Sequence, residues 1–241
     1  MEELRQFLYS RYVSGFKTQQ LNLSDKRVKE YWSWCDYHFK PMFSKILPED
    51  SILDIGCGPG YFMKYLENLG YKNLHGIDVS PEQCEIAKSL NLQVFCNDVF
   101  EFLTGKENNY SAIIAIDFIE HFTKNEILKL LPLISKALKK DGIFVIQTPN
   151  GQGLFPGQVI YGDLTHFTIF AEDSLRQFLR LTGFTDIKIK ESGPAPNSLE
   201  GRMRHFLWDI IRAFIRIVRQ IEAKNSSRLY TENIICWCKK E

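Results

Sequence analysis

Ile52-Leu53-Asp54-Ile55-Gly56-Cys57-Gly58-Pro59-Gly60 decides the fold of this chain. Its first four residues form a short, mainly apolar run stopped by Gly and Pro, which reads as a buried strand. Residues 61–69 follow as a helix closed by Gly70, so the unit is strand, glycine turn, helix. Glycines at the carboxyl end of a strand let backbone approach a ligand, and the free N–H groups of the next helix favour an anionic group. The spacing is G-x-G-x-G, and Tyr61 stands where a dinucleotide fingerprint needs its third glycine. That weighs against a pyrophosphate cofactor. Taken alone, the turn is equally compatible with a structural bend.

Outward from this unit, β-rich runs alternate with helical patterns. Residues 73–77 read as a second strand, Ser80-Pro81-Glu82-Gln83 as a helix start with Ser80 as cap, 92–96 as a third strand and 111–116 as a fourth. A helix over about 125–139 and a turn at Asp141-Gly142 lead into a fifth strand, 143–148. Beyond a glycine-rich loop come a helix at 171–181, a strand at 184–190 and a last strand at 229–237. This order predicts an α/β fold: a doubly wound, seven-stranded, mostly parallel sheet with an antiparallel last strand. Residues 1–45 are expected to form a helical lid, and 46–241 the α/β domain, with an insertion at about 194–227.

Carboxylates stand at the ends of the next two strands. Asp78 lies 20 residues after Gly58, where it can accept from both hydroxyls of a ribose. Asp98 follows the third strand, placed to accept from an exocyclic adenine amine. Either aspartate alone serves as well as a cap or turn residue. At the ends of three successive strands, the glycine turn and the two aspartates describe an adenosine site.

With these pieces in order, the sequence resembles the class I, Rossmann-like S-adenosylmethionine-dependent methyltransferases. ILDIGCGPGYF (52–62), GIDVS (76–80), NDVFEF (97–102), AIDFIEHF (115–122) and GIFVIQTPN (142–150) occur in family order and spacing. The resemblance implies S-adenosyl-L-methionine as cofactor and S-adenosyl-L-homocysteine as product. It implies that Gly56, Gly58 and Gly60 face the methionine part, with Asp54 supporting their turn. Asp78, followed by Val79, would bind ribose, Asp98 with Val99 would hold adenine, and Ile116 and Asp117 would line the cofactor near its methyl group.

Methyl transfer is an in-line displacement at a sulfonium carbon, so an enzyme aligns the acceptor and, for a hydroxyl, removes its proton. The NPPY-type motif of DNA and amide N-methyltransferases is absent, and Asp117-Phe118-Ile119-Glu120-His121 follows the fourth strand instead. A histidine or carboxylate near the methyl fits O-methylation. His121, and His166 in Tyr161-Gly162-Asp163-Leu164-Thr165-His166-Phe167, fall on loops at the carboxyl edge of the sheet, where open α/β folds bind ligands. With Asp163 they are the candidate catalytic residues, though each also suits a structural role. That loop, the aromatic stretch 31–42 and the ending RLYTENIICWCKK resemble methyltransferases encoded with bacterial capsule and O-antigen polysaccharide genes. This implies a sugar acceptor, with Tyr37 as its aromatic neighbour. Phe167 departs from the pattern, which has an acidic residue after the histidine. The rival readings are an O-methyltransferase of a quinone or phenol precursor, and a non-catalytic cofactor-binding regulator of assembly. No metal ligand set is apparent, and none is expected.

Composition bounds the rest. The chain has 241 residues, 44% hydrophobic and 24% charged, inside the globular averages, which excludes disorder and low-complexity classes. A formal net charge of +1 argues against a nucleic-acid partner. The 6 cysteines are scattered without a C-x-x-C pair and read as reduced, packed thiols. No apolar leader opens the sequence and no uncharged apolar run of about 18 residues occurs, so a cytoplasmic protein is expected. Residues 203–221 have apolar side chains at 3- and 4-residue steps with arginines clustered opposite. Three readings suit that helix: packing on the domain or a twin subunit, docking at the inner face of an anionic membrane, or clamping an acidic substrate.

Overall fold

The computed structural model describes residues 7–15, 26–224 and 228–240. Residues 1–6 and 16–25 of the expected lid, 225–227 of the expected insertion, and 241 lie outside them. Strands β1 (Ile52–Ile55), β2 (Leu74–Asp78), β3 (Val94–Cys96), β4 (Tyr110–Ile116), β5 (Leu138–Pro149), β6 (Phe184–Glu191) and β7 (Asn233–Lys240) form one sheet, in the order β3-β2-β1-β4-β5-β7-β6. The first five pair in parallel, and β7 runs antiparallel between β5 and β6. This is the doubly wound sheet expected of a Rossmann-like methyltransferase. Strand order reverses between β1 and β4, and such a switch point opens a crevice at the strand ends.

Helices α1 (Lys26–His38), α2 (Tyr61–Asn68) and α3 (Pro81–Ser89) cover one face. On the other lie α4 (Val99–Leu103) and α5 (Lys124–Ala137), and, beyond the short α6 (Gly157–Tyr161), α7 (Glu172–Leu181). A sheet covered on both faces needs strands apolar at every position. Accordingly Ile113 and Ala115 enter one core, and Ala112 and Ile114 the other, all fully buried. Truncating Ile113 to Ala at such a site costs about 2–5 kcal/mol.

Element ends differ from expectation for local reasons. Helix α5 stops at Ala137 and β5 starts at once, with Asp141 taking a left-handed φ of 63° and the β4 register shifting between Tyr110 and Ala112. Strand β7 begins later than residue 229 because the Asn150 amide donates to the carbonyls of Leu229 (3.0 Å) and Thr231 (2.9 Å), fixing that segment as a connection. Ser80 stands at the N-cap of α3 but makes no side-chain cap bond, and its buried hydroxyl lacks a partner. Cys96 is exposed, unlike the other five thiols.

Between β6 and β7, α8 (Leu199–Glu222) fills the expected insertion, capped by the Ser198 hydroxyl accepting from Gly201 N–H. Trp208 and Arg212 turn toward Glu191. Ten large apolar side chains of this helix stay exposed, from 44% at Ile211 to 83% at Ile221.

Candidate active site

The ends of β1, β2 and β4 open into a cleft of about 680 Å³. It brings together Asp54, Gly56, Gly58, Asp78, Val79, Asp98, Val99, Ile116, Asp117 and His121, all singled out in the sequence. Gly56 (φ 70°) and Gly58 (φ 53°) are left-handed, and a Cβ on Gly56 would lie 2.3 Å from the Phe118 ring. Asp78 clamps the turn, accepting from Gly58 N–H at 2.9 Å through Oδ2 and from Ser80 N–H at 2.8 Å through Oδ1. The support expected of Asp54 thus comes from Asp78. Gly60 is absent from the cleft lining: it caps α2 at φ 81°, and its missing Cβ makes room for the Leu92 side chain. Asp98 is both N-cap and cleft residue. Its Oδ1 accepts from Phe100 N–H (2.8 Å) and Glu101 N–H (3.3 Å), leaving Oδ2 for a ligand amine.

Charge in the cleft is one-sided. Burial, then the neighbouring Asp78, pushes the Asp54 carboxyl up to about 8. Asp117 closes β4 with a left-handed φ of 49° and accepts from the Gln147 amide at 3.0 Å. Tyr31 of α1 and Tyr9 complete the wall, with Tyr31 held well above its usual pKa by burial first and then Cys35. The sequence does not single out Tyr9 or Tyr31, because a helical pattern does not show which ring faces the cleft.

Beside the cleft, Asp163, Thr165 and His121 form a chain of hydrogen bonds. Asp163 Oδ1 accepts from the Thr165 backbone N–H at 2.9 Å and from its hydroxyl at 2.5 Å. With that proton committed to Asp163, Thr165 Oγ1 accepts from His121 Nδ1 at 2.8 Å, and the Thr165 carbonyl lies 3.2 Å from the same nitrogen. His121 Nδ1 is therefore the donor in this chain of hydrogen bonds. The His166 ring lies 4.9 Å from that of His121 by centroids, one layer behind the cleft. Tyr37 lies away from the cleft, edge-on to His38 and His205. Glu120, wholly buried, accepts from Thr148 Oγ1 at 3.1 Å through Oε2, while its Oε1 has no partner. Burial, then Asp117, pushes this carboxyl well above its usual range.

A second cavity, an open groove of about 930 Å³, runs between α1, the start of α8 and the 192–199 and 230–233 segments. Gln147 lines it and donates to Asp117, so one hydrogen bond links the wall of the groove to the wall of the cleft.

Residues 24–189 match the methyltransferase-domain family. A small RNA 2′-O-methyltransferase of Schizosaccharomyces pombe is 33% identical over 122 residues, which cover 43% of this chain and 32% of that protein. The chain spans well under half the length of the first curated relatives it matches. Among solved structures, a SAM-dependent methyltransferase from Archaeoglobus fulgidus superposes with a TM-score of 0.64 at 22% identity, over 98% of this chain and 99% of that one. The 1,6-didemethyltoxoflavin N1-methyltransferase of Burkholderia thailandensis, bound to S-adenosylhomocysteine, gives 0.60 at 17% identity, over 99% and 89%. The chain belongs to the methyltransferase-domain family, and its fold is that of solved S-adenosylmethionine-dependent methyltransferases.

Proposed function

We propose that the chain methylates a hydroxyl group of a sugar, in the assembly of a cell-surface polysaccharide. The observation that carries this reading is the open groove beside the cleft, whose wall residue Gln147 is hydrogen-bonded to Asp117 of the cleft. Its walls mix Trp34, Trp208 and Tyr230 with Lys26, Asn197 and Arg204. Aromatic faces alternating with hydrogen-bonding groups suit a glycan, whereas a quinone or phenol calls for a closed apolar pocket. The S. pombe relative, by its name, methylates a 2′-oxygen of RNA, which is also a sugar hydroxyl.

The cleft residues fit the cofactor. Asp78 and Asp117 bring negative charge to a small volume where the Asp54 carboxyl resists ionising, and a bound cationic group offsets that repulsion. Asp78 is placed for the ribose, Asp98 Oδ2 for adenine, and Gly56 and Gly58 for close backbone approach. When bound, S-adenosyl-L-methionine supplies an electrophilic methyl carbon and leaves as S-adenosyl-L-homocysteine. This chain's task is to align the acceptor oxygen with that carbon and ease the loss of its proton. His121, oriented by Thr165 and Asp163, is the imidazole that lines the cleft beside this step.

Labelled methyl donor with a panel of cell-envelope glycans, phenols and quinones tests the reading. Labelled glycan supports it; transfer to phenols alone overturns it. Retained polysaccharide assembly in a cofactor-dead variant favours the non-catalytic regulator.

Helix α8 extends the proposal to a twin subunit. Its exposed apolar face offers on the order of 1,000 Å², above the roughly 300–600 Å² of a monomer's largest patch and close to the roughly 800 Å² each partner of a stable pair buries. Two of its arginines are committed within the chain, Arg212 to Glu191 (2.7 Å) and Asp209 (2.5 Å), and Arg219 to Glu222, which reduces the charge left for a membrane or acidic substrate. Among the described residues no helix is long and apolar enough to cross a membrane. Flotation with anionic liposomes separates the two partners.

A further inference from the structure

Beside the cofactor cleft, Glu120, His121 and His166 each offer a ligand atom, and these atoms lie within 4.8 Å of one another. Two features of this cluster have no structural explanation. Glu120 is completely buried, yet its Oε1 makes no hydrogen bond, and the His166 Nδ1 is likewise buried without a partner. A buried carboxylate oxygen and a buried ring nitrogen left unsatisfied together forfeit favourable free energy, unless a further group sits between them.

We propose that Glu120, His121 and His166 form a divalent metal site, opening through His121 into the cleft, and that the bound cation activates the acceptor hydroxyl. Two imidazoles and one carboxylate suit a borderline transition ion such as Zn²⁺, Co²⁺ or Mn²⁺ better than Mg²⁺ or Ca²⁺, which prefer all-oxygen shells. Metal–ligand bonds of about 2.0–2.2 Å put neighbouring ligand atoms roughly 3–3.5 Å apart, so small side-chain rotations close the cage. The second shell is already in place. Metal-bound histidine ordinarily donates its other ring N–H to an oxygen acceptor, which fixes the tautomer. Thr165 does this for His121 and is itself anchored by Asp163. Thr148 holds the other oxygen of Glu120. Three protein ligands leave coordination positions for a substrate oxygen, as in catalytic rather than structural sites.

The role in catalysis rests on the O-methylation reading above; the site itself does not. A cation there withdraws electron density from the acceptor hydroxyl and lowers its pKa. The oxygen gains the methyl carbon, the C–S electron pair stays on the donor sulfur, and the hydroxyl proton passes to solvent at the cleft mouth.

Full-length protein stripped with chelator is titrated with Co²⁺, followed by visible absorption and calorimetry. One equivalent is expected to bind with a d–d band of nitrogen–oxygen coordination. In His166→Ala the affinity is expected to fall by at least 100-fold, with S-adenosylhomocysteine affinity unchanged because His166 is set back from the cleft. Thr165→Val, which breaks the chain of hydrogen bonds, is expected to weaken Co²⁺ by about 10–100-fold. Absence of saturable Co²⁺, Zn²⁺ and Mn²⁺ binding, or binding indifferent to His166→Ala, overturns the site. Metal binding with equal methyl transfer in stripped and loaded protein overturns its catalytic role. Metal binding without transfer to any hydroxyl supports the site while overturning the O-methylation reading.

Discussion

Replacing Asp54 with Asn removes a carboxyl whose ionisation the folded chain resists, and the consequence is a change in how stability depends on pH. In the unfolded chain Asp54 titrates near the usual carboxylate value; in the ligand-free fold, burial first and then Asp78 push it up to about 8. The native state therefore holds this proton more tightly, so between these two values unfolding releases a proton and stability falls as pH rises. From pH 5 to pH 8 the cost approaches three units at 1.36 kcal/mol each, roughly 4 kcal/mol before water relaxation reduces it. His38 acts in the opposite sense. Burial lowers it to about 4, so its part of the stability is absent at low pH and gained as pH rises toward the unfolded histidine value. That term is common to both proteins and cancels in their difference. Urea denaturation of ligand-free parent and Asp54→Asn at pH 5 and pH 8 isolates Asp54. The variant is expected to gain at least about 2 kcal/mol on the parent between the two pH values. Parallel pH profiles, within about 0.5 kcal/mol, would refute an Asp54 held neutral by its surroundings.

Other substitutions test separate parts of the site. Asp98→Ala should destabilise the fold by about 1 kcal/mol through the lost α4 cap and weaken S-adenosylhomocysteine by a further 1–3 kcal/mol in calorimetry; unchanged affinity would leave the residue only its capping role. Gly60→Ala puts a Cβ 2.3 Å from Leu92 Cδ1 at a left-handed φ, and thermal denaturation should show a loss of about 2–4 kcal/mol. Gly58→Ala, 2.7 Å from the movable Gln83 Oε1, should cost less stability, on the order of 1 kcal/mol, but lower cofactor affinity more than Gly60→Ala does. Ile210→Glu with Phe214→Glu on α8 should turn a dimer into a monomer by light scattering; a parent already monomeric at high micromolar concentration would exclude the twin-subunit contact.

Much of the fold was legible because its signals are local. Strand β4 is apolar throughout 112–116 since both its faces are covered there, and the left-handed glycines after β1 are needed whether or not a ligand is present. Asp78 and Asp98 could be placed by counting residues from strand ends. The acceptor side was harder to read. Thr165 and Glu120 gain their roles from the approach of the 163–168 loop to the end of β4, through Phe167 and Thr168 N–H groups donating to the Glu120 carbonyl at 2.8 and 3.0 Å. No spacing in the chain encodes that approach. The same holds for Tyr9 and Tyr31, which reach the cleft by tertiary packing, and for Gly60, whose motif position masks a packing duty to Leu92.

The position of β7 has a further consequence for biosynthesis. Strands β5 and β6 leave the ribosome before the strand that joins them, and α8 emerges in between. Until residues 233–240 are free to slide into the gap, both neighbours present unpaired backbone edges beside an amphipathic helix with an exposed apolar face. The nascent chain thus passes through an interval in which a second copy, whose own β7 is already free but not yet inserted, can donate that strand, making strand exchange between copies an error to which this topology is open. Slowing translation across 223–232 prolongs that interval, and a chaperone that shields α8 shortens its danger.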